Sequence, residues 1–149
     1  MATIDGESTA EIDAPIERVW ELVQDVERAP EWQGGMKSLR GVERDRKNRV
    51  VLADVEVDGK VRLLHSRLMF AYESPSRLSW EQDHGELKSI VGSWELAALD
   101  GGARTQATYR IKVDLGLLGL VIRGPIVGVL RAELAGARAG ELKRAIEAG

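Results

Sequence analysis

Few residues of this chain carry side chains suited to acid–base, nucleophilic or metal chemistry. There is no cysteine, and the two histidines are His65 and His84. Neither has further ligands at a metal-binding spacing, so we expect no metal and no cofactor. The sequence contains no phosphate-binding loop, dinucleotide fingerprint or nucleophile elbow. No catalytic residue is therefore identified from the sequence.

A few polar side chains alternate with apolar residues and would suit the orientation of a ligand's oxygen atoms. Ser66, Gln82 and Tyr109 share a predicted strand face with apolar neighbours, and Arg62 is expected near the rim of that face. Buried polar groups need hydrogen-bond partners. Each of these side chains therefore either pairs within the protein or contacts a bound molecule, and the sequence leaves both interpretations open.

The elements that position these residues begin with a strand and an amphipathic helix. Residues 8–13 alternate as a strand, and Pro15 suits the first turn of a helix. Apolar residues then recur at helical spacing and predict one buried face: Ile16, Val19, Trp20, Val23 and Val26.

Residues 36–114 show the alternation of an antiparallel sheet. The pair Asp58-Gly59 predicts a two-residue type I′ turn, which would pair Val57 with Lys60. Paired residues share a face of the sheet. The predicted inner face then carries Leu64, Ser66, Leu68 and Phe70, and the outer face carries His65 and Arg67.

The later strands extend the same inner face. Their alternation predicts that Trp94 pairs with Tyr109 and that Leu96 pairs with Ala107. Small residues are common on this face: Val51, Ala53, Gly92, Thr105 and Ala107. A curved sheet lined with small side chains predicts a void, and apolar voids bind apolar ligands. The alternative is that Phe70, Trp80, Trp94 and the leucines of a helix fill the space.

Residues 117–147 predict a long helix that packs on the sheet, with a kink or break at Gly124-Pro125. Its sheet-facing stripe is predicted to contain Ile126, Leu130, Leu134, Ala137, Leu142 and Ile146.

Length and charge limit the class of protein. A chain of 149 residues fits one domain, residues 1–149. The net charge of −3 has no basic stripe, so nucleic acid is not an expected partner. The polar segment at residues 1–7 lacks a signal sequence, and we expect a cytoplasmic protein. Residues 115–130 are too short for a membrane span and contain Arg123, so stable membrane insertion is not expected. The oligomeric state is not determined by the sequence.

A set of short motifs is spread along the chain: Ile12-Asp13-Ala14-Pro15, Val19-Trp20, Pro30-Glu31-Trp32, Leu78-Ser79-Trp80-Glu81, Gly92-Ser93-Trp94-Glu95-Leu96 and Thr108-Tyr109. Together they resemble the START-like, or SRPBCC, superfamily, and within it the bacterial polyketide cyclase/dehydrase and lipid-transport branch. The resemblance covers nearly the whole chain. It implies an α+β helix-grip fold of the Bet v 1 type, in which a seven-stranded curved antiparallel sheet wraps around a long C-terminal helix. Two short helices, near residues 16–26 and 28–32, are expected to close one end.

The resemblance implies a cavity between the sheet and the C-terminal helix, holding a small hydrophobic molecule such as a lipid, quinone or polyketide. One alternative is a polyketide cyclase or dehydratase, in which Arg62, Ser66, Trp80 and Tyr109 would orient the substrate. Another is a protein-interaction module with a filled cavity and an exposed apolar patch. The expected ligand-binding residues are Trp32 and Met36 near the mouth, with Arg62, Ser66, Leu68, Phe70, Trp80, Gln82, Trp94, Tyr109, Leu118, Ile122, Ile126 and Leu130.

Overall fold

The computed structural model describes residues 3–149, and Met1 and Ala2 of the polar N-terminal segment lie outside the described residues. Seven strands form one antiparallel sheet in the order β1-β7-β6-β5-β4-β3-β2. The strands are β1 (Thr3–Ile12), β2 (Met36–Arg44), β3 (Val50–Asp58), β4 (Leu63–Glu73), β5 (Arg77–Gly85), β6 (Ser89–Leu99) and β7 (Arg104–Asp114). This sheet confirms the predicted helix-grip arrangement.

Two short helices follow β1, and one long helix ends the chain. The short helices are α1 (Ile16–Gln24) and α2 (Ala29–Trp32). The long C-terminal helix consists of α3 (Pro125–Arg131), a π-helical turn (Ala132–Gly136) and α4 (Arg138–Ala148). On α1 the buried residues are Val19, Trp20 and Val23, as the spacing predicts.

The C-terminal helix begins later than the sequence predicts. It starts at Pro125 rather than at residue 117, and the chain before it forms a short 3₁₀ helix (Gly116–Leu120). Gly124 has φ 64° and ψ −138°, a conformation that other residues adopt with strain. Proline fits the first position of a helix. Gly124-Pro125 therefore starts the helix instead of kinking it.

The turn between β3 and β4 differs from the prediction. Val57 pairs with Leu64 and not with Lys60, so the chain turns through residues 59–62. The Asp58 carboxylate accepts a hydrogen bond from the Lys60 amide at 2.8 Å, and Lys60 takes a positive φ of 72°. This side-chain bond favours the longer turn over the two-residue one. Because the register moves by an even number of residues, the residues of β4 keep their predicted faces. Val51, predicted on the inner face of β3, is only half-buried, and its neighbour Val50 is buried instead, where the pairing with β2 is irregular.

The predicted faces of the sheet are confirmed. Trp94 pairs with Tyr109 and Leu96 pairs with Ala107. Thr105, Ala107, Tyr109, Ile111 and Val113 are all buried on β7. On β4, Leu64 is buried while His65 is exposed, and its Nδ1 lies 3.3 Å from Glu56 Oε2 on the outer face.

The small inward residues do not create the void that the sequence suggests. Ala53, Thr105 and Ala107 are completely buried. Thr105 Oγ1 donates a hydrogen bond to the Ala14 carbonyl at 2.8 Å. The ring of Trp80 lies against Gly92, where an added Cβ would collide with it. These small residues are close-packed against larger neighbours, so any open space lies elsewhere on the inner face.

Replacing Gly92 with alanine should lower the free energy of unfolding by about 1–3 kcal/mol, because the Trp80 ring must move out of a packed position. A matched control is Gly128→Ala on α3, where no atom lies within 4 Å of the added Cβ. The free energy of unfolding of that variant should rise by up to about 1 kcal/mol, because alanine has a higher helix propensity than glycine. Urea denaturation of both variants measures the difference. Equal stabilities would show that Trp80 does not pack on Gly92.

Candidate functional site

A partly open and mainly apolar cavity of about 80 Å³ lies between the sheet and the C-terminal helix. Every strand contributes to its wall, and the helix contributes Leu130, Leu134 and Arg138. The cavity is closest to the sheet end where β5 meets β6 and where β7 leads into Leu115. It therefore lies beside the middle of the C-terminal helix and not beside residues 118–126.

Six of the residues expected from the sequence line this cavity together. They come from four strands and the helix. The sequence pattern places all of them on the inner face except Met36, which was expected near the mouth. They are Met36, Ser66, Leu68, Trp80, Tyr109 and Leu130.

Three more of the expected residues form an aromatic row behind the wall. The ring centroids are 6.0 Å apart for Trp32 and Trp94, and 4.8 Å apart for Trp94 and Tyr109. The row continues from Tyr109 to Trp80 at 5.6 Å and from Trp80 to Phe70 at 6.3 Å. Aromatic pairs at these separations are attractive. Trp32, Trp94 and Phe70 therefore fix the positions of the two aromatic residues that reach the cavity.

The remaining five expected residues lie outside the wall. Arg62 is in the exposed turn between β3 and β4 and forms an ion pair with Glu86. Gln82 donates a hydrogen bond to the Leu87 carbonyl at 2.8 Å and holds the turn between β5 and β6. The other three pack at the start of the helix, away from the cavity, because the helix begins at Pro125: Leu118, Ile122 and Ile126.

The polar end of the cavity contains Arg138, which the sequence analysis missed. Its side chain is 2% exposed. Its Nη1 donates to the Gly34 carbonyl at 2.7 Å and to Glu141 Oε1 at 2.8 Å. Glu141 Oε2 in turn accepts from the Gly34 amide at 2.9 Å. Among residues 3–149 the Arg138 Nε has no hydrogen-bond partner, which is unusual for a buried donor.

The π-helical turn brings Arg138 to the cavity. The Ala137 amide donates to the Ala132 carbonyl at 2.9 Å, which is the wider π pattern. In a regular helix Arg138 would lie about 80° around the axis from Leu130, and the extra residue of the π turn reduces this to about 20°. Ala137, predicted on the buried stripe, is only half-buried. Because of the π turn, Arg138 is the buried residue in place of Ala137.

Tyr109 lies beside this arginine in the cavity wall. Burial raises the pKa of the Tyr109 phenol, and the nearby charge of Arg138 offsets part of that rise. The phenol is therefore neutral at physiological pH and serves as a hydrogen-bond donor. Ser66 is the third polar residue of the wall.

Both tyrosines of the chain should resist ionisation in the folded protein. Burial raises the pKa of Tyr72 to about 12, and its hydroxyl donates to the Val50 carbonyl at 2.6 Å. The pKa of Tyr72 in the folded protein exceeds the unfolded value of about 10. The free energy of unfolding therefore keeps its full contribution from this residue below pH 10, and it falls as the pH rises toward about 12. At pH 10, absorbance at 295 nm should show less phenolate in the native protein than in urea-unfolded protein, which should be about half ionised. Native ionisation near pH 10 would contradict the burial of these rings.

Other surface features of residues 3–149 offer less to a ligand. An open hollow of about 810 Å³ lies on the outer face of the sheet, among charged residues such as Arg77, Arg110 and Lys112. An exposed apolar patch is present at Leu117 and Leu120, which are 86% and 69% exposed. Within these residues no cluster of three or more possible metal ligands occurs. Nor does any described helix combine the length and apolar character needed to cross a membrane.

Comparisons with known proteins identify what the chain resembles. The family model described as "Polyketide cyclase / dehydrase and lipid transport" matches residues 3–147. No curated protein sequence gives a significant match. A START superfamily protein from Mycobacterium smegmatis has 18% identity and a TM-score of 0.81, covering 97% of this chain and 98% of its own. A protein from Thermus thermophilus has 18% identity and a TM-score of 0.75, with 99% of each chain covered.

Some of the similar structures have a stated activity. An example is the Zhui aromatase/cyclase from a Streptomyces species, with 15% identity, a TM-score of 0.73, and coverage of 98% of this chain and 94% of its own. At such low identities these structural matches show a shared fold, and activity has to be argued from the site.

Proposed function

This chain belongs to the polyketide cyclase/dehydrase and lipid transport family, and we propose that it binds a small, mainly hydrophobic molecule in the cavity between the sheet and the C-terminal helix. The carrying observation is a mainly apolar space between the sheet and the helix, whose wall includes residues of all seven strands and the helix residues Leu130 and Leu134. Small-molecule sites are typically concave and mostly apolar, with a few polar groups that fix orientation. Tyr109, Ser66 and Arg138 are such groups.

The cavity has to widen when a ligand binds. Its volume of about 80 Å³ is well below the roughly 300–1,000 Å³ of typical ligand sites. Two half-buried wall residues, Met36 and Leu134, are suited to move, and the methionine side chain is especially adaptable. Lys60 joins the turn between β3 and β4 to Glu133 of the π turn at 2.5 Å. We propose that this ion pair closes the cavity and separates when a ligand enters.

Native mass spectrometry of the protein purified from its source tests this proposal. We expect a population heavier than the bare chain by the mass of one small molecule, which should disappear under denaturing conditions because it is not covalently bound. Extraction with an organic solvent should release the same mass. Recovery of only the bare chain, with no extractable small molecule, would contradict the proposal.

A second candidate is catalysis of polyketide cyclisation, which the convergence of Tyr109 and Arg138 in one cavity favours. Two hydrogen-bond donors at one end would hold carbonyl oxygens of a poly-β-keto chain and restrict how it folds, which accelerates an intramolecular reaction. The raised pKa of Tyr109 suits proton donation and not proton abstraction.

The cyclase candidate is tested by incubating the protein with a poly-β-keto thioester and analysing the products by mass spectrometry. Cyclase activity predicts a product ratio that differs from the spontaneous one and that Tyr109→Phe shifts back. A spontaneous product ratio with the unmodified protein would exclude this candidate and leave ligand binding standing.

A further inference from the structure

We propose that Arg138 makes the cavity selective for ligands with a neutral oxygen acceptor, such as a ketone, quinone or ester carbonyl, over hydrocarbons and over carboxylates. This inference rests on the proposed function, since it concerns the same cavity, and it adds the chemical class of the ligand. Three independent features of the structure support it: an unused donor, a compensated charge and a local change in the helix.

The first feature is the unused hydrogen-bonding capacity of the guanidinium. An arginine side chain has five N–H donors and no acceptor. Nη1 of Arg138 is occupied by the Gly34 carbonyl and by Glu141, whereas Nε has no partner among residues 3–149. An unpaired buried donor is unfavourable. Because Arg138 lines the cavity, a ligand oxygen that reached Nε when the cavity widens would pair it. A hydrocarbon of the same shape would leave it unpaired.

The second feature is the charge balance at this end of the cavity. Glu141 lies 2.8 Å from Arg138 and neutralises it. The other nearby acidic group, Glu133 of the π turn, forms an ion pair with Lys60 at 2.5 Å. A ligand carboxylate would therefore add an uncompensated negative charge beside Glu141 in apolar surroundings, which is costly. A neutral carbonyl gains the hydrogen bond without that penalty.

The third feature is the π-helical turn, which places the arginine at the cavity. Such turns occur frequently at functional sites. The turn displaces the helical hydrogen bonds, and the amide of Ala139 instead donates to Ser8 Oγ on β1 at 3.0 Å. Without this extra residue Arg138 would rotate by about 100° around the helix axis, away from Leu130 and the cavity. The local irregularity thus has a direct consequence for the wall of the site.

Three probes of nearly equal shape test the inference by isothermal titration calorimetry. They are 2-acetylnaphthalene, its hydrocarbon isostere 2-isopropenylnaphthalene, and 2-naphthoate. We expect the ketone to bind about tenfold more tightly than the isostere, as one charge-assisted hydrogen bond allows. The carboxylate should bind most weakly.

Two variants assign the selectivity to this pair. Glu141→Gln removes the compensating charge, so affinity for 2-naphthoate should rise by about tenfold or more, since Arg138 is then free to pair with an anion. The double variant Arg138→Gln/Glu141→Gln should lose the preference for the ketone over the isostere. Circular dichroism and the melting temperature verify that each variant is folded. If a variant does not fold, the order of affinities of the unmodified protein for the three probes still tests the inference.

The outcomes separate this inference from the proposed function. Equal affinity of the unmodified protein for the ketone and the isostere would overturn the selectivity while leaving hydrophobic binding intact. Tighter binding of 2-naphthoate than of the ketone would also overturn it. Failure of all three probes to bind would instead count against the proposed function of the cavity.

Discussion

Replacing Arg138 with methionine should lower the free energy of unfolding by about 3–5 kcal/mol, the range seen when one partner of a buried ion pair is removed. The physical reason is the group left behind. Glu141, 14% exposed in its side chain, would lose its compensating charge, and the Gly34 carbonyl would lose its donor. A loss of this size is a large part of the total stability of a typical domain, which is about 5–15 kcal/mol.

Two further variants make this a test of the ion pair and not of the helix. Arg144→Met changes an exposed arginine on the same helix and should alter stability by no more than about 0.5 kcal/mol. Arg138→Met/Glu141→Met removes both charges and should recover much of the loss, since apolar pairs often replace buried ion pairs without cost. Guanidinium denaturation compares the three variants. If Arg138→Met and Arg144→Met prove equally stable, Arg138 is not a buried, paired residue.

The faces of the sheet could be predicted from the sequence because strand alternation has a period of two residues. That Trp94 and Tyr109 share the inner face follows from that period, and the structure pairs the two residues directly. Even the wrong turn at Asp58 left the faces of β4 correct, because the register moved by an even number of residues. Alternation therefore predicted which residues of β4 and β7 face inward, including Ser66 and Tyr109 of the cavity wall.

The polar end of the cavity could not be predicted by assuming a regular helix. A period of 3.6 residues selects Ala137 and passes over Arg138. A signal was nevertheless present, because Leu130, Leu134, Arg138, Leu142 and Ile146 recur at a strict spacing of four. On a regular helix such a row would drift by about 160°, and one π turn reduces the drift to about 60°. A strict four-residue spacing through a charged residue thus indicates a π turn.

The position of the void could not be predicted from the sequence either, because it depends on how the large side chains pack against one another. Gly92 and Ala107 are small, yet one is covered by Trp80 and the other is completely buried. The open space is instead bounded by larger residues such as Leu87, Ile90 and Val113. Residue size along a strand does not report the packing of rings from neighbouring strands.

Filling the cavity with a side chain is the most direct test of whether a small hydrophobic molecule binds there. Leu134→Trp adds a large ring at a half-buried residue of the wall. Val129→Trp is the matched control, because it places the same ring on the same helix at a position that is 53% exposed. The measurement is the change in melting temperature on adding 2-acetylnaphthalene, after each unliganded variant has been shown to melt cooperatively.

At a probe concentration of one hundred times the dissociation constant, the melting temperatures of the unmodified protein and of Val129→Trp should each rise by roughly 5–10 °C. The melting temperature of Leu134→Trp, although the variant is folded, should not change on adding the probe, because its ring occupies the site. Equal stabilisation of folded Leu134→Trp and Val129→Trp by the probe would contradict binding in the cavity, since the probe would then bind elsewhere.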